Sequence, residues 1–364
     1  MPIKQQTTSA NVNEQRIPRS IPLWRNRDYL LLLSGQAVSS VGSQVSLVAF
    51  PLLILALTNS PAEAGLMTSL RALPYAFLCL PAGALVDRWN RKKVMVLADS
   101  GRAIALGSIP VALAFGQLTF LQLALVSLVE GTLFVFYSLA ETAAIPHVVT
   151  REQLSDAMSQ NEVTYSLSTV VGPALGPILY GIGSTLPFLA DAVSYVASVV
   201  SLFFIRTQFQ EERTINVEAP QNMWKEIGEG IAWLWHHPVI RFLAILTFGI
   251  TTPCMGYVLV LLVLAQHMHA SNAVIGLIFA SGGIGSVVGA LLVGPLQKRF
   301  SFQQVIITST WIWVLTWLFY AIAPNPLLLG ISNTISFIVV PIYMVTQYTY
   351  RIAIIPDRLQ GRVN

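Results

Sequence analysis

The sequence GALVDRWNRKK (residues 83–93) decides how the rest of the chain is interpreted. Five of the seven residues from Asp87 to Lys93 are charged, although only 10% of the whole chain is charged. The flanking stretches, AGLMTSLRALPYAFLCLPAGALV and VMVLADSGRAIALGSIPVALAF, are nearly free of charge. Such a charged turn between two long apolar stretches is typical of a loop that joins two membrane-spanning helices.

The composition predicts a membrane protein. Hydrophobic residues make up 54% of the chain and the mean hydropathy is +0.64. Backbone groups in lipid must be satisfied within the segment, and the sequence lacks the alternation of strands, so the apolar stretches are predicted to be helices. The fold class is therefore an all-α multi-pass membrane protein, with ten spans at 29–57, 62–86, 93–115, 119–140, 163–182, 186–205, 240–266, 273–296, 303–323 and 327–350.

The positive charges predict the topology. All of the 21 Lys and Arg residues except Arg71 and Arg102 fall on one side of the predicted membrane, and the loops on the other side have none. The positive-inside rule then places the N-terminus and residues 83–93 in the cytoplasm of a bacterial-type cell, with the chain in its inner membrane. No signal peptide is predicted in residues 1–27. The same bias explains the net charge of +4, so the partner is the lipid bilayer and not nucleic acid.

Two internal matches predict a duplicated chain. GPLQKRF (294–300) resembles GALVDRW (83–89), and Ile355-Pro356 repeats Ile145-Pro146 at nearly the same offset. The predicted organisation is a cytoplasmic tail, a six-helix half, a cytoplasmic linker and a second half, at 1–28, 29–206, 207–239 and 240–364. Within the linker, Trp224, Ile227, Ile231 and Leu234 share one face and predict an amphipathic helix at the membrane surface.

The turn at 83–93 resembles the signature of the major facilitator superfamily, with Gly83, Asp87, Arg88, Arg91 and Lys92 at the matching positions. Other stretches are similar to its enterobactin-exporter-like and macrolide-efflux-like branch, among them AAIPHVVTREQLSDAMSQNE (143–162) and EGIAWLWHHPVIR (229–241). The resemblance implies two pseudo-symmetric six-helix halves and a turn that bridges them in the outward-facing state. The alternative is a charge cluster that serves membrane topology alone.

Two further motifs of proton-linked exporters are only partly kept. In GPALGP, Gly172, Pro173 and Gly176 match the helix 5 motif, which equally fits a packing kink between close helices. In helix 4, Glu130 and Ser127 stand where those exporters have Gln and Arg.

Charged residues inside the membrane are functional candidates because they are costly unless paired or hydrated. Glu130 and Arg71 lie near the middle of their helices, and Glu130 is the preferred candidate for proton coupling, against a structural ion pair. Asp99 and Arg102, three residues apart, could neutralise one another. Asp191 lies near the outer face and could be a structural cap.

The predicted function is secondary active transport: efflux of a small hydrophobic or amphipathic molecule by alternating access, driven by the proton gradient. No cofactor, metal site or enzyme activity is predicted, and GGIGSVVG (282–289) is interpreted as helix packing through Gly285 and Gly289 and not as a nucleotide loop. A monomer is expected. The alternatives are an importer or lipid-moving carrier of the same fold, and a non-transporting paralogue or sensor.

The resemblance also implies two more helices after residue 364. The sequence is therefore interpreted as a C-terminally truncated carrier, which is expected to insert but to be unstable in detergent and to transport poorly.

Overall fold

The computed structural model describes residues 22–86, 88–150, 153–209, 232, 234–254 and 256–354. Every regular element in these ranges is a helix. After one 3₁₀ turn (Leu23–Arg25), the first half has α1 (Arg27–Thr58), α2 (Pro61–Val86), α3 (Arg91–Ala114), α4 (Phe120–Val148), α5 (Leu154–Ile182) and α6 (Leu186–Phe204). The second half has α7 (Pro238–Cys254), α8 (Tyr257–His267), α9 (Asn272–Arg299), α10 (Phe302–Ile322) and α11 (Pro326–Ile354).

The ten predicted segments correspond to these helices, with three differences. Helix α4 continues to Val148, eight residues beyond its predicted end at 140. The segment predicted as one span over 240–266 is broken into α7 and α8, with Gly256 in the turn between them. Helix α5 begins nine residues before its predicted start of 163, because its first turns are polar and escape an analysis of hydropathy. Asp87, most of the linker helix, the N-terminal tail to residue 21 and residues 355–364 lie outside the described residues.

Polar residues at the helix starts explain where several helices begin. The side chain of Asn26 accepts a hydrogen bond from the backbone N–H of Tyr29, and Asn90 and Thr119 make the same contact at the starts of α3 and α4. In the second half Ser271 caps α9, and Ser301 forms a reciprocal capping box at the start of α10. These caps satisfy backbone donors that have no partner within the helix, so each turn is fixed locally.

The halves repeat one packing scheme. In the first half, α4 packs against α2 and α3, while α6 packs against α1 and α3 and α5 packs against α1. In the second half, α11 packs against α9 and α10. By the internal sequence matches, α9 corresponds to α2, α10 to α3 and α11 to α4. By the same correspondence α7 and α8 together are equivalent to α1.

The bundle has two ends with different loops. We call the end with residues 88–90, 149–150 and 300–301 the signature end, and the end with 59–60, 115–119, 183–185, 268–271 and 323–325 the uncharged-loop end. The halves meet closely where α5 crosses α9: a Cβ at Gly276 would lie 2.6 Å from the carbonyl oxygen of Ala174, and Gly181 faces Asn272. Both contacts lie nearer to the uncharged-loop end.

Seven of the described helices are long and apolar enough to cross a membrane: α1, α3, α4, α6, α9, α10 and most of α11. Helices α2 and α5 are also long enough to cross a membrane, and α5 begins with polar turns. Helices α7 and α8 are apolar but shorter.

Candidate functional site

The charged residues predicted within the membrane meet where α2, α3 and α4 cross. Glu130 is the eleventh residue of α4 and Arg71 the eleventh of α2, so both lie roughly 15 Å along their helices from the uncharged-loop end. The next residue, Gly131, makes this crossing possible, because a Cβ atom there would overlap the backbone carbonyl of Arg71. The glycine therefore lets α2 and α4 approach closely beside the charged pair.

Glu130 forms ion pairs with two arginines. Its Oε1 lies 2.8 Å from Nη2 of Arg102 and 3.6 Å from Nη2 of Arg71. Nε of Arg102 also donates to Oε1 at 2.9 Å. The sequence left open whether Arg102 neutralises Asp99; it does contact Asp99, at 3.4 Å, but its shorter and more numerous contacts are with Glu130.

Two uncharged residues that the sequence analysis did not single out complete the site. The hydroxyl of Tyr195, on α6, donates to Oε1 of Glu130 at 2.6 Å, and the guanidinium of Arg102 lies 4.1 Å from the centre of its ring. Ser43, on α1, accepts from Nη2 of Arg102 at 3.2 Å and hydrogen-bonds to the hydroxyl of Tyr195. A tyrosine and a serine in apolar segments give no sequence signal of their own, because only packing brings them to the ion pair.

The exposure of the three charged partners differs. The side chains of Glu130 and Arg102 are 1% and 3% exposed, whereas that of Arg71 is 21% exposed. Arg71 is therefore the most accessible of the three charged residues.

Asp191 does not cap a helix, contrary to the sequence interpretation. Helix α6 begins after Thr185, and Asp191 is its sixth residue, fully buried. Ser194 donates to its carboxylate at 3.3 Å, and Gly42 of α1 packs directly against both side chains. The uncharged-loop end is one and a half turns away, so Asp191 belongs to the helix interface between α1 and α6.

The basic residues of the signature turn hold helix ends within the first half. Nη1 of Arg91 donates to the carbonyl of Ala143 at 2.9 Å, and Nζ of Lys92 donates to that of Ile205 at 2.7 Å. Cations near the C-terminal carbonyls of α4 and α6 are favoured by the helix dipoles. The Arg88 backbone N–H closes the turn onto Leu85, and a Cβ at Gly83 would have no atom within 4 Å.

The helix 5 motif lies at the contact between α5 and α1. A Cβ atom at Gly172 would overlap the Gln44 side chain, and one at Gly176 would lie 2.8 Å from the carbonyl oxygen of Val45. Pro173 is buried beside them. The motif thus allows close approach of two helices. The glycines of α9 serve the same purpose, because Gly285 and Gly289 abut the backbone carbonyls of Thr334 and Ile338 of α11, as predicted.

The second half offers no charged counterpart. The sequence has no Asp or Glu between residues 230 and 356. Between α7, α8, α10 and α11 lies a cavity of about 210 Å³ with a mainly aromatic lining that includes Tyr257, Trp313, Trp317, Tyr320 and Tyr343. In the first half the corresponding helices, α1 and α3, pack against α6.

Comparison with known proteins agrees with this architecture. The sequence profile of the Major Facilitator Superfamily matches residues 32–364. The chain is 26% identical to the multidrug efflux pump Tap of Mycolicibacterium fortuitum, over 92% of this chain and 83% of that protein. It is 27% identical to the enterobactin exporter EntS of Salmonella typhi, over 87% of this chain and 75% of that protein. With macrolide efflux protein A of Streptococcus pyogenes the identity is 25%, over 79% and 70%.

Solved structures show the same fold. A bacterial homologue of the human lysosomal transporter Spinster superposes with a TM-score of 0.72 at 16% identity, over 93% of this chain and 78% of that one. A bacterial homologue of the iron transporter ferroportin gives 0.66 at 17% identity, over 94% and 87%. The profile match over nearly the whole chain, the helical bundle and its signature turn together establish that this multi-pass membrane protein belongs to the Major Facilitator Superfamily, a family of transporters and not of enzymes.

Proposed function

We propose that the chain is a proton-coupled exporter of small hydrophobic or amphipathic molecules in a bacterial inner membrane, with its N-terminus and signature end in the cytoplasm. The similar proteins are named as a multidrug efflux pump, a macrolide efflux protein and an enterobactin exporter, which supports export. The placement of Lys and Arg supports the orientation. A small molecule is its substrate, the proton gradient its energy source, and the monomer its working unit.

The observation that carries the coupling proposal is the position of Glu130. It is a buried carboxylate whose contacts with Arg102, Arg71 and Tyr195 all come from other helices. Buried ion pairs of this kind are weak contributors to stability, because desolvation offsets most of the attraction. A group that joins four helices at such a cost is better explained by a change in its charge during the transport cycle.

A proton on Glu130 would weaken both ion pairs. The longer contact, at 3.6 Å to Arg71, would be lost first. Helix α2 would then lose its ion pair with α4 beside Gly131, where the two helices approach most closely. From Arg71 to Val86, α2 runs for roughly 22 Å toward the signature turn. Protonation at the centre would thus alter the position of the signature end of α2.

The contacts between the halves support alternating access. They meet along α5 and α9 nearer to the uncharged-loop end, and at the signature end Arg91 and Lys92 hydrogen-bond to carbonyls of the first half. In our proposal this is the inward-facing state. In the outward-facing state the signature turn would bridge to the second half.

Everted membrane vesicles test the proposal. Respiring vesicles that contain the chain should accumulate ethidium, a hydrophobic cation, and a protonophore should abolish the accumulation. Vesicles with Glu130→Gln should not accumulate ethidium, whereas Glu162→Gln, which removes an exposed carboxylate from α5, should leave accumulation unchanged. Loss of ethidium from preloaded vesicles on energisation would indicate an importer. Absence of gradient-driven flux of ethidium, erythromycin and fluorescent phospholipid would favour a non-transporting protein.

A further inference from the structure

A second buried carboxylate lies between the Glu130 site and the signature end. Glu141 is on α4, seven residues before the helix ends at Val148, which is roughly 10 Å along the axis. The residue is buried, and its Oε1 has no hydrogen-bond partner. Asp99 lies at nearly the same level on α3, eight residues after Arg91. The sequence analysis did not single out Glu141, because it lies beyond the predicted end of helix 4 at residue 140.

The charges of the first half do not balance if every carboxyl is ionised. Four carboxyls are buried (Asp99, Glu130, Glu141 and Asp191), and the cations that form ion pairs with them in the described residues are Arg71 and Arg102. Arg71 forms an ion pair with Glu130, and Arg102 forms ion pairs with Glu130 and Asp99. In the described residues Glu141 and Asp191 make no ion pair, and each has a buried carboxyl oxygen without a partner. An ionised carboxylate in such a place is strongly disfavoured, so neutrality requires a proton on each of these two.

We propose that Glu141 is a second proton-carrying residue of the transport cycle, which holds its proton in this conformation and releases it at the signature end. The inference rests on the proposed proton-coupled function. It differs from the role of Glu130 in position, because Glu141 lies on the cytoplasmic side of the ion-paired cluster in the proposed orientation.

Arg102 links the two sites. It contacts Glu130 and Asp99, and Asp99 lies at nearly the same level on α3 as Glu141 does on α4, with the phenol of Tyr137 one turn away from Glu141. Arg71, on α2, lies at the level of Glu130. When Glu130 takes up a proton, the charge of Arg102 is no longer neutralised there and favours the carboxylate form of Glu141. One proton is gained and one is lost, so the net charge of the cluster stays constant.

Glu141→Gln tests this link through the pH dependence of transport. The variant cannot release a proton, so uptake at Glu130 leaves one uncompensated positive charge and needs a higher proton concentration. In proteoliposomes with the full chain, ethidium flux should fall about tenfold at neutral pH and recover when the pH is lowered by about one unit. Glu141→Asp should restore the wild-type profile, and Glu162→Gln should match wild type throughout.

The outcomes separate this inference from the proposed function. If wild-type flux does not respond to pH or to a proton gradient, the proposed function fails. If wild-type flux responds and Glu141→Gln has the same profile, the role of Glu141 is wrong. Flux lost at every pH and not restored by Asp would mean a structural residue and would also overturn the role. If Glu141→Gln does not insert into the membrane, infrared spectra of wild type and Glu141→Asp test whether residue 141 is protonated. The C=O band of a protonated carboxyl should shift between the two proteins, and identical spectra would contradict the proposal.

Discussion

Replacing Arg102 by Met should destabilise the protein strongly and in a pH-dependent way. The guanidinium is 3% exposed and contacts Glu130 at 2.8 Å, Asp99 at 3.4 Å and the Tyr195 ring. Without it, Glu130 keeps its longer ion pair with Arg71 and the hydrogen bond from Tyr195, but no close cation. Removing one member of a buried ion pair, which leaves the other charge unpaired, costs about 3–5 kcal/mol of folding free energy. The unpaired carboxylate can escape this cost by taking up a proton. The free energy of protonating an ordinary glutamate, about 4 kcal/mol at pH 7 and about 1 kcal/mol at pH 5, therefore sets the upper limit.

The assay is thermal unfolding of the purified protein in detergent, followed by tryptophan fluorescence at pH 7 and pH 5. At pH 7 Arg102→Met should lower the unfolding midpoint by roughly 10 °C, and the deficit should shrink at pH 5. The double variant Arg102→Met/Glu130→Gln should be more stable than Arg102→Met alone, since no unpaired carboxylate remains at position 130. A double variant that is no more stable than the single one, or a deficit that does not change with pH, would refute the assigned ion pair.

Two further substitutions test the surroundings of the site. Gly131→Ala should lower stability by about 3 kcal/mol in the same assay, because the added methyl group would overlap the backbone of Arg71, which cannot rotate away. Gly249→Ala, with open space around it, is the matched control. Equal unfolding midpoints for the two variants would contradict the close contact of α2 and α4. Asp87→Asn should reduce ethidium transport at least tenfold but leave insertion intact, because topology depends on Lys and Arg; normal insertion with full transport would show that the turn serves topology alone.

Much of the fold could be predicted from the sequence, because the membrane imposes simple rules. Apolar stretches of sufficient length identified the helices, and the internal matches identified helices that the structure shows in equivalent packing. The break between α7 and α8 was missed since both parts are apolar and a hydropathy analysis joins them. Hydropathy also missed the ends of α4 and α5, which continue beyond the apolar core as polar turns.

The candidate site could be predicted only in part. Arg71, Asp99, Arg102 and Glu130 are conspicuous as charges in apolar stretches, but their pairing depends on how the helices are rotated. Arg102 could reach Asp99 on its own helix, and only the structure shows its closer contacts with Glu130. Asp191 was misjudged because distance along the helix from the membrane surface does not reveal which neighbour covers a side chain.

If a proton on Glu130 is coupled to substrate movement, a substrate gradient should by itself drive protons across the membrane. Proteoliposomes with the wild-type chain and an internal pH indicator would be given an ethidium gradient with no initial pH difference. Ethidium flux through the wild type should drive protons in the opposite direction. Glu130→Gln should move no protons, although exchange of ethidium across the membrane continues. Proton movement of wild-type size in Glu130→Gln would contradict the coupling role of Glu130 and assign coupling to another residue.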